Sequence, residues 1–274
     1  MSMVPIGAAV TDGYNAGHGL PFDSEGMKER YPDIFFSQFT GAELVADKWN
    51  LSREDLDQFA LESHQKAAQA TESKYFDKEI LPVEGKNAEG INDLVMADEG
   101  IRFDASLDKL AGLNPVTEGG KITAGNASQI TDGAAAVLIC NDAGLKKIKS
   151  NPRAEIVSIS VVGDDPVFML TGPIPASHKA LDIAKLSIDD MDIYEVNEAF
   201  APVPLAWAEE LKADRSKLNV NGGAMALGHP LGATGAKLMT TMLHELERRE
   251  GNYALQAICE GGGTANATII KRIT

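Results

Sequence analysis

Strands and helices alternate along the second half of the sequence, and this alternation limits the possible folds more than any other feature. Aliphatic or β-branched runs that predict strands occupy residues 154–162, 192–196, 253–259 and 265–270. Patterns that predict helices separate them at residues 176–186, 199–212 and 231–249. This order is typical of a layered α/β sheet with right-handed crossovers.

The first half predicts helices, loops and one buried strand. Apolar residues recur at helical spacing over residues 40–49 and 56–70, and between them Ser52 and Asp55 stand at the positions of a capping box. Small and aliphatic residues fill Gly133 to Cys140, a composition suited to a strand buried on both faces. That assignment makes Cys140 an inert core residue.

Charge and cysteine content exclude several classes of protein. Forty acidic residues against 25 basic ones give a formal charge of −15, which argues against a general nucleic-acid binder, although a local basic patch can still hold an anion. Two cysteines cannot form a disulfide framework or a four-cysteine zinc site, and the five histidines show no ligand spacing, so no metal is expected. With no signal peptide and no apolar stretch near 20 residues, we expect a soluble cytoplasmic protein.

Two polar motifs lie just ahead of predicted helices. Asn197 lies in Glu195–Phe200 between a strand and a helix, where an N-cap is the simpler interpretation and a water or carbonyl contact the functional one. His229 lies between Gly228 and Pro230 in a glycine-rich run, just ahead of a long helix. A helix N-terminus disfavours the imidazolium, which favours a neutral base; a packing histidine and a nucleotide-binding loop are the alternatives.

Two further motifs contain small residues. Cys259 ends a strand and is followed by three glycines, which predicts an exposed thiol beside backbone N–H groups that could face an oxyanion; a small buried hydrophobe is the alternative. The segment Ile122 to Ser128 is small and polar, and in isolation an ordinary turn explains it.

Taken in order, Asn-Glu-Ala-Phe, Gly-His-Pro and Cys-x-Gly-Gly-Gly resemble the motifs of the thiolase family. His229 comes 32 positions after Asn197, and Cys259 comes 30 positions after His229. Thiolases are acyltransferases that cleave 3-ketoacyl-CoA thiolytically or join acetyl-CoA units in a Claisen condensation. The resemblance covers essentially the whole chain, and it implies a thiolase-like α-β-α sheet domain at the C-terminal end and a mainly helical loop domain before it.

The resemblance implies four catalytic roles. His229 would take the proton from the nucleophilic thiol, and with Asn197, through a water, would line the first oxyanion site. Cys259 would shuttle a proton to and from the acetyl carbon or the CoA thiol, and the Gly261 N–H would serve the second oxyanion site. This chemistry needs a base for a weakly acidic C–H and donors for the enolate oxygen.

It also implies a ligand site, with coenzyme A thioester as substrate and no separate cofactor. The positions that match CoA contacts in the family are Arg102, Ala124 and Ser128, and those that match the acyl pocket are Met169, Ala199 and Phe200. Ser37 stands near the place where the family often has a histidine. Thiolases usually assemble into dimers or tetramers, so a homo-oligomer is expected.

The family's acyl-carrying cysteine lies upstream of a segment that resembles Met1–Pro5, so we expect the nucleophile and most of the first thiolase domain to be absent. The predicted division is 1–121 for the loop domain with a remnant of the N-terminal domain, 122–150 for closing strands of that domain and 151–274 for a complete C-terminal domain. We therefore expect the chain alone to be inactive. The alternatives are a CoA-binding or assembly subunit that needs a separate N-terminal chain, and an inactive fragment from a misplaced start codon.

Overall fold

A computed structural model describes residues 4–86 and 90–273; the first three residues of the Met1–Pro5 segment lie outside these ranges. The N-terminal half is mainly helical, with one short antiparallel pair of strands. Its elements are α1 (Ala8–Asn15), α2 (Glu25–Arg30), α3 (Gln38–Lys48), α4 (Arg53–Glu72), β1 (Val83–Lys86), β2 (Asn92–Val95), α5 (Leu107–Ala111) and α6 (Asp142–Ile148).

A four-stranded mixed sheet forms the C-terminal half. Its elements are β3 (Ala154–Gly163), α7 (Pro173–Ala184), β4 (Ile193–Val196), α8 (Pro202–Leu211), α9 (Ala224–Leu227), α10 (Thr234–Arg249), β5 (Tyr253–Glu260) and β6 (Thr264–Arg272). The strand order is β3-β6-β5-β4, with β4 parallel to β5 and the other pairs antiparallel. All four predicted strands of this half are confirmed.

Helices cover both faces of the sheet. On one face, Ser158 and Ser160 of β3 donate hydrogen bonds to carbonyls of α7, at 2.9 and 2.6 Å. On the other face, Ile193, Ala254 and Ile270 pack with Met242 and Leu246 of α10. Because side chains alternate between the faces of a strand, the two buried layers make an α-β-α sandwich.

Prolines set where two helices begin. Pro173 and Pro202 stand in the first turns of α7 and α8, where a missing N–H costs nothing. α7 therefore begins earlier than the predicted residue 176, and α8 begins later than residue 199. The capping box of α4 is confirmed: Ser52 Oγ accepts from Asp55 N–H, and the Asp55 carboxylate accepts from Ser52 N–H at 2.8 Å.

The predicted strand over Gly133 to Cys140 is wrong. The segment forms no strand, Leu138 is 77% exposed, and Cys140 is exposed rather than part of a core. A strand needs neighbours to satisfy its backbone N–H and C=O groups, and none of the strands in the described ranges lies beside this segment. The division of the chain at residues 121 and 150 stays a prediction.

Candidate active site

Asn197 and His229 meet where β4 ends. The Asn197 N–H donates to the Ala257 carbonyl at 3.0 Å, which continues the β4–β5 pairing by one residue. The Asn197 amide Nδ2 then lies 3.3 Å from His229 Nε2. The N-cap residue of α8 is Ala201, so the capping interpretation of Asn197 is wrong. The fold therefore joins two residues that are far apart in sequence into one polar pair.

The loop before α10 aims the imidazole of His229. Gly228 has a φ of +80°, and a Cβ there would stand 2.4 Å from the Thr131 side chain, so only glycine fits. The His229 N–H donates to the Gln129 carbonyl at 3.0 Å. These backbone constraints present the ring to Asn197 on one side and to α10 on the other.

Thr234 selects the tautomer of His229. The Thr234 hydroxyl donates its one hydrogen to the Pro230 carbonyl at 3.1 Å, so it can only accept from His229 Nδ1, which lies 2.6 Å away. Nδ1 then carries the proton, and Nε2 keeps its lone pair and accepts from Asn197 Nδ2. Burial, and then the charge of Lys237, hold the pKa of His229 below its usual value. The ring is a neutral base with Nε2 available.

The Glu198 carboxylate accepts three hydrogen bonds beside the same site, and the sequence did not predict this role. Its carboxylate is 1% exposed. It accepts from Ser63 Oγ at 2.7 Å, from Asn219 Nδ2 at 2.9 Å and from the Met225 N–H at 3.1 Å. Gly223 passes so close that a Cβ there would stand 2.2 Å from the carboxyl carbon. Glu198 thus ties α4, the end of β4 and the loop that leads to His229 into one unit.

Cys259 does not have the expected exposure. It is 8% exposed, packs in the core cluster that also contains Met169, Ala199 and Phe200, and burial raises the pKa of its thiol to about 12. The expectation of an exposed thiol is therefore wrong. No hydrogen bond in the described ranges joins Cys259 to Asn197 or His229. Gly261 lies on the exposed turn between β5 and β6.

A cleft of about 290 Å³ contains part of the predicted CoA site. Arg102 and Ala124 line it, together with Lys109 and His64. Ser128 is not among its lining residues, but its N–H donates to the Ala199 carbonyl at 3.0 Å. Asp104 also lines the cleft and forms an ion pair with Lys109, so Arg102, Lys109 and Asp104 together leave one net positive charge there.

His64 is a second residue that sequence reasoning missed. Its Nδ1 accepts the Arg102 N–H at 3.1 Å, which leaves Nε2 as the protonated nitrogen. Burial, and then the charge of Arg102, lower its pKa, so the ring is a neutral N–H donor in the wall of the cleft. It sits mid-helix in α4, where its sequence context resembles any other helix face.

The predicted acyl-pocket residues are buried together. Met169, Ala199 and Phe200 belong to one hydrophobic cluster, and Phe39 contacts the Phe200 ring edge-on with centroids 5.4 Å apart. Ser37 acts as the N-cap of α3, since its hydroxyl accepts from the Phe39 N–H at 3.2 Å.

Among the described residues, no group of three or more acidic, histidine or cysteine side chains could hold a metal, and no helix is long and apolar enough to cross a bilayer.

Comparison with known proteins identifies relatives of both halves of the chain. The family profile described as Thiolase, N-terminal domain matches residues 1–143, and Thiolase, C-terminal domain matches residues 150–272. Steroid 3-ketoacyl-CoA thiolase FadA6 of Mycobacterium tuberculosis is 54% identical over 274 residues, which are 100% of this chain and 66% of that protein. The mitochondrial 3-ketoacyl-CoA thiolase of Rattus norvegicus is 46% identical over 84% of this chain and 58% of its own length.

The solved structures give the same result. The human mitochondrial 3-ketoacyl-CoA thiolase superposes with a TM-score of 0.82 at 45% identity, over 86% of this chain and 59% of that one. A structure of the human enzyme in complex with CoA has a TM-score of 0.79 at 44% identity, over 85% and 58% of the two chains. The fold is thiolase-like α/β, and the chain spans about three fifths to two thirds of the length of these relatives.

Proposed function

Because this chain belongs to the thiolase family, we propose that it supplies the base and the CoA cleft for acyl transfer between coenzyme A and 3-ketoacyl chains. The reaction is thiolytic cleavage of 3-ketoacyl-CoA or, in reverse, Claisen condensation of acetyl-CoA. The observation that carries the proposal is the pair formed by Asn197 and the neutral imidazole of His229. In this role Nε2 accepts the proton of a thiol, and the Asn197 amide donates toward an oxyanion, directly or through a water.

Other residues of the predicted site would take the remaining roles. Arg102 offers positive charge to the phosphates of CoA, and the His64 N–H offers a donor to its polar groups, while Lys109 is paired with Asp104 in the same cleft. Cys259, with its raised pKa, is a thiol at rest and enters the reaction as a proton donor. The Gly261 N–H serves the second oxyanion. Because the M. tuberculosis relative is named for steroid substrates, a bulky polycyclic acyl group is the first acyl class to test.

Neither cysteine suits the role of acyl carrier. Cys259 is buried with a pKa of about 12. Cys140 is exposed, and no hydrogen bond among the described residues joins its thiol to a histidine, lysine or arginine side chain. A nucleophilic cysteine needs a base or an electropositive site that favours the thiolate. The chain alone is therefore inactive in acyl transfer and binds CoA without turnover.

Calorimetric titration of CoA into the chain tests this proposal. We expect saturable binding that weakens at least tenfold in Arg102→Met, because a charge-assisted contact to phosphate is worth about 1.5–3 kcal/mol. Arg153→Met is the matched control, since Arg153 pairs with Glu247 on the surface, away from the cleft. Binding that is equally strong in both variants, or no binding at all, contradicts the CoA assignment.

A second candidate function is that of one subunit of a split thiolase. The exposed aliphatic segment Gly133–Cys140 favours it, because eight residues with strand-forming composition lie in no strand. A polypeptide equivalent to the third of the relatives that this chain does not match could supply neighbouring strands. The nucleophilic cysteine of that second polypeptide would then lie beside His229. A homo-oligomer and a cytoplasmic location stay predictions.

Co-expression with that polypeptide distinguishes this candidate. We expect a stable complex with thiolase activity. We expect Leu138→Asp to abolish the complex, because it places a charge in the sheet that Gly133–Cys140 would form with the second polypeptide. Leu81→Asp is the control, because Leu81 is as exposed as Leu138 but lies neither in the segment nor among the residues that line the cavity beside it. If the chain stays monomeric beside the polypeptide, the split-enzyme candidate fails while the CoA assignment stands.

A further inference from the structure

The first turns of α10 hold the segment that carries His229 at two points. Thr234 Oγ1 contacts the imidazole Nδ1, and three residues later, on the same helix face, Lys237 Nζ donates to the Leu227 carbonyl at 3.0 Å. Gly228 stands between Leu227 and His229 with a left-handed backbone. Glycine has the largest conformational freedom of any residue, so this link needs an external hold to keep the ring in place.

We propose that Lys237 is a positioning residue for His229: its ammonium anchors the Leu227 carbonyl to α10 and places a positive charge on the helix face that contacts the imidazole. The proposal rests on the proposed function, because the charge state of the ring matters for chemistry only if Nε2 accepts a proton. Lys237 acts through His229 and through the backbone, and no role in contact with substrate is assigned to it.

Charge supports the geometry. Lys237 is the cation that lowers the pKa of His229 beyond the effect of burial. Three carboxyls also face Lys237: Glu79 after α4, Asp98, and Glu195 on β4. Burial raises the pKa of all three, that of Glu79 to about 7. Because burial favours their neutral forms, these carboxyls offset the ammonium only in part.

Titration of His229 by NMR tests the proposal on the chain itself. The chain is labelled with ¹⁵N-histidine, and the His229 signal is assigned by its loss in His229→Gln. In Lys237→Met the midpoint of His229 moves to higher pH, with at least a twofold rise in proton affinity, about 0.3 of a pH unit. In Lys237→Arg, which keeps the charge, it moves by less than that.

Lys179→Met is the matched control. Lys179 Nζ also donates to a backbone carbonyl at 3.0 Å, that of Val161, but from α7 on the other side of the sheet. We expect no change of the His229 midpoint there. Lys237→Gln is neutral but retains a donor, and it gives the same upward shift as Lys237→Met if the charge is what acts.

An unchanged His229 midpoint in either folded neutral variant, Lys237→Met or Lys237→Gln, overturns the proposal, as does an equal shift in Lys179→Met. Because the titration needs no substrate, it is independent of the proposed function. Failure of the proposed function would appear elsewhere: His229→Gln would keep full activity in the reconstituted enzyme while the Lys237 shift remained.

Discussion

Replacing Glu198 tests whether one buried carboxylate holds the site together. Three donors from separate elements converge on it: Ser63 Oγ, Asn219 Nδ2 and the Met225 N–H. Each donor that loses its partner in a buried place costs about 1–3 kcal/mol, and part of that sum is recovered because a buried charge is also removed. We therefore expect Glu198→Ala to lower the free energy of unfolding by about 3–5 kcal/mol.

The milder variant Glu198→Gln separates charge from shape. Gln keeps one acceptor oxygen for Ser63 and Met225 but turns an amide toward Asn219 Nδ2, so two donors face each other. The expected loss is about 1–2 kcal/mol. In both variants the Asn197–His229 pair is expected to loosen, because the loop that carries His229 is released from its anchor.

Urea denaturation followed by circular dichroism measures these losses, with unchanged slopes as the check that the unfolded state is the same. Glu209→Ala is the control: Glu209 lies on the exposed side of α8, and surface changes usually stay within about 0.5 kcal/mol. If Glu198→Ala lowers the free energy of unfolding no more than Glu209→Ala does, Glu198 does not hold the loop and the reasoning is refuted.

Three further outcomes are expected. Thr234→Val removes the acceptor for His229 Nδ1, so in ¹⁵N NMR spectra the population of the Nε2–H tautomer rises; a spectrum identical to the wild type contradicts the tautomer assignment. Glu79→Gln raises stability relative to the wild type above pH 7, by about 3 kcal/mol, and leaves it unchanged below about pH 4.5. The sign follows because the folded pKa of about 7 lies above the unfolded value, so the wild type loses stability as pH rises through it; parallel pH profiles in urea melts would argue against it. Iodoacetamide at pH 8 labels Cys140 quickly and Cys259 only after unfolding, and equal labelling rates in peptide mass spectra would count against the buried thiol.

The parts of the fold that sequence predicted well depend on local interactions. The capping box at Ser52 and Asp55 lies within four residues, so its geometry follows from the helix start itself. The four strands after residue 153 were predicted because their apolar patterns match a sheet whose neighbours are all present in the chain. Gly133–Cys140 has an equally strong pattern, but its neighbours are not among the described strands, and the prediction failed for that reason.

The site shows the same difference. Asn197 and His229 could be named as candidates from their local motifs, but nothing in either local sequence shows that their side chains meet. Glu198 and Ser63 are 135 residues apart, and no periodicity marks their hydrogen bond. The exposure predicted for Cys259 was wrong for a different reason: a glycine-rich turn follows it, but its side chain packs in the hydrophobic core.

The central claim is that this chain holds the base of a thiolase site without a cysteine that accepts the acyl group. Intact-mass spectrometry of the chain after incubation with acetyl-CoA tests it most directly. We expect the unmodified mass, also at pH 8 where a reactive thiolate would be populated. A stoichiometric acetyl thioester on Cys259 or Cys140, released by hydroxylamine, would contradict the claim.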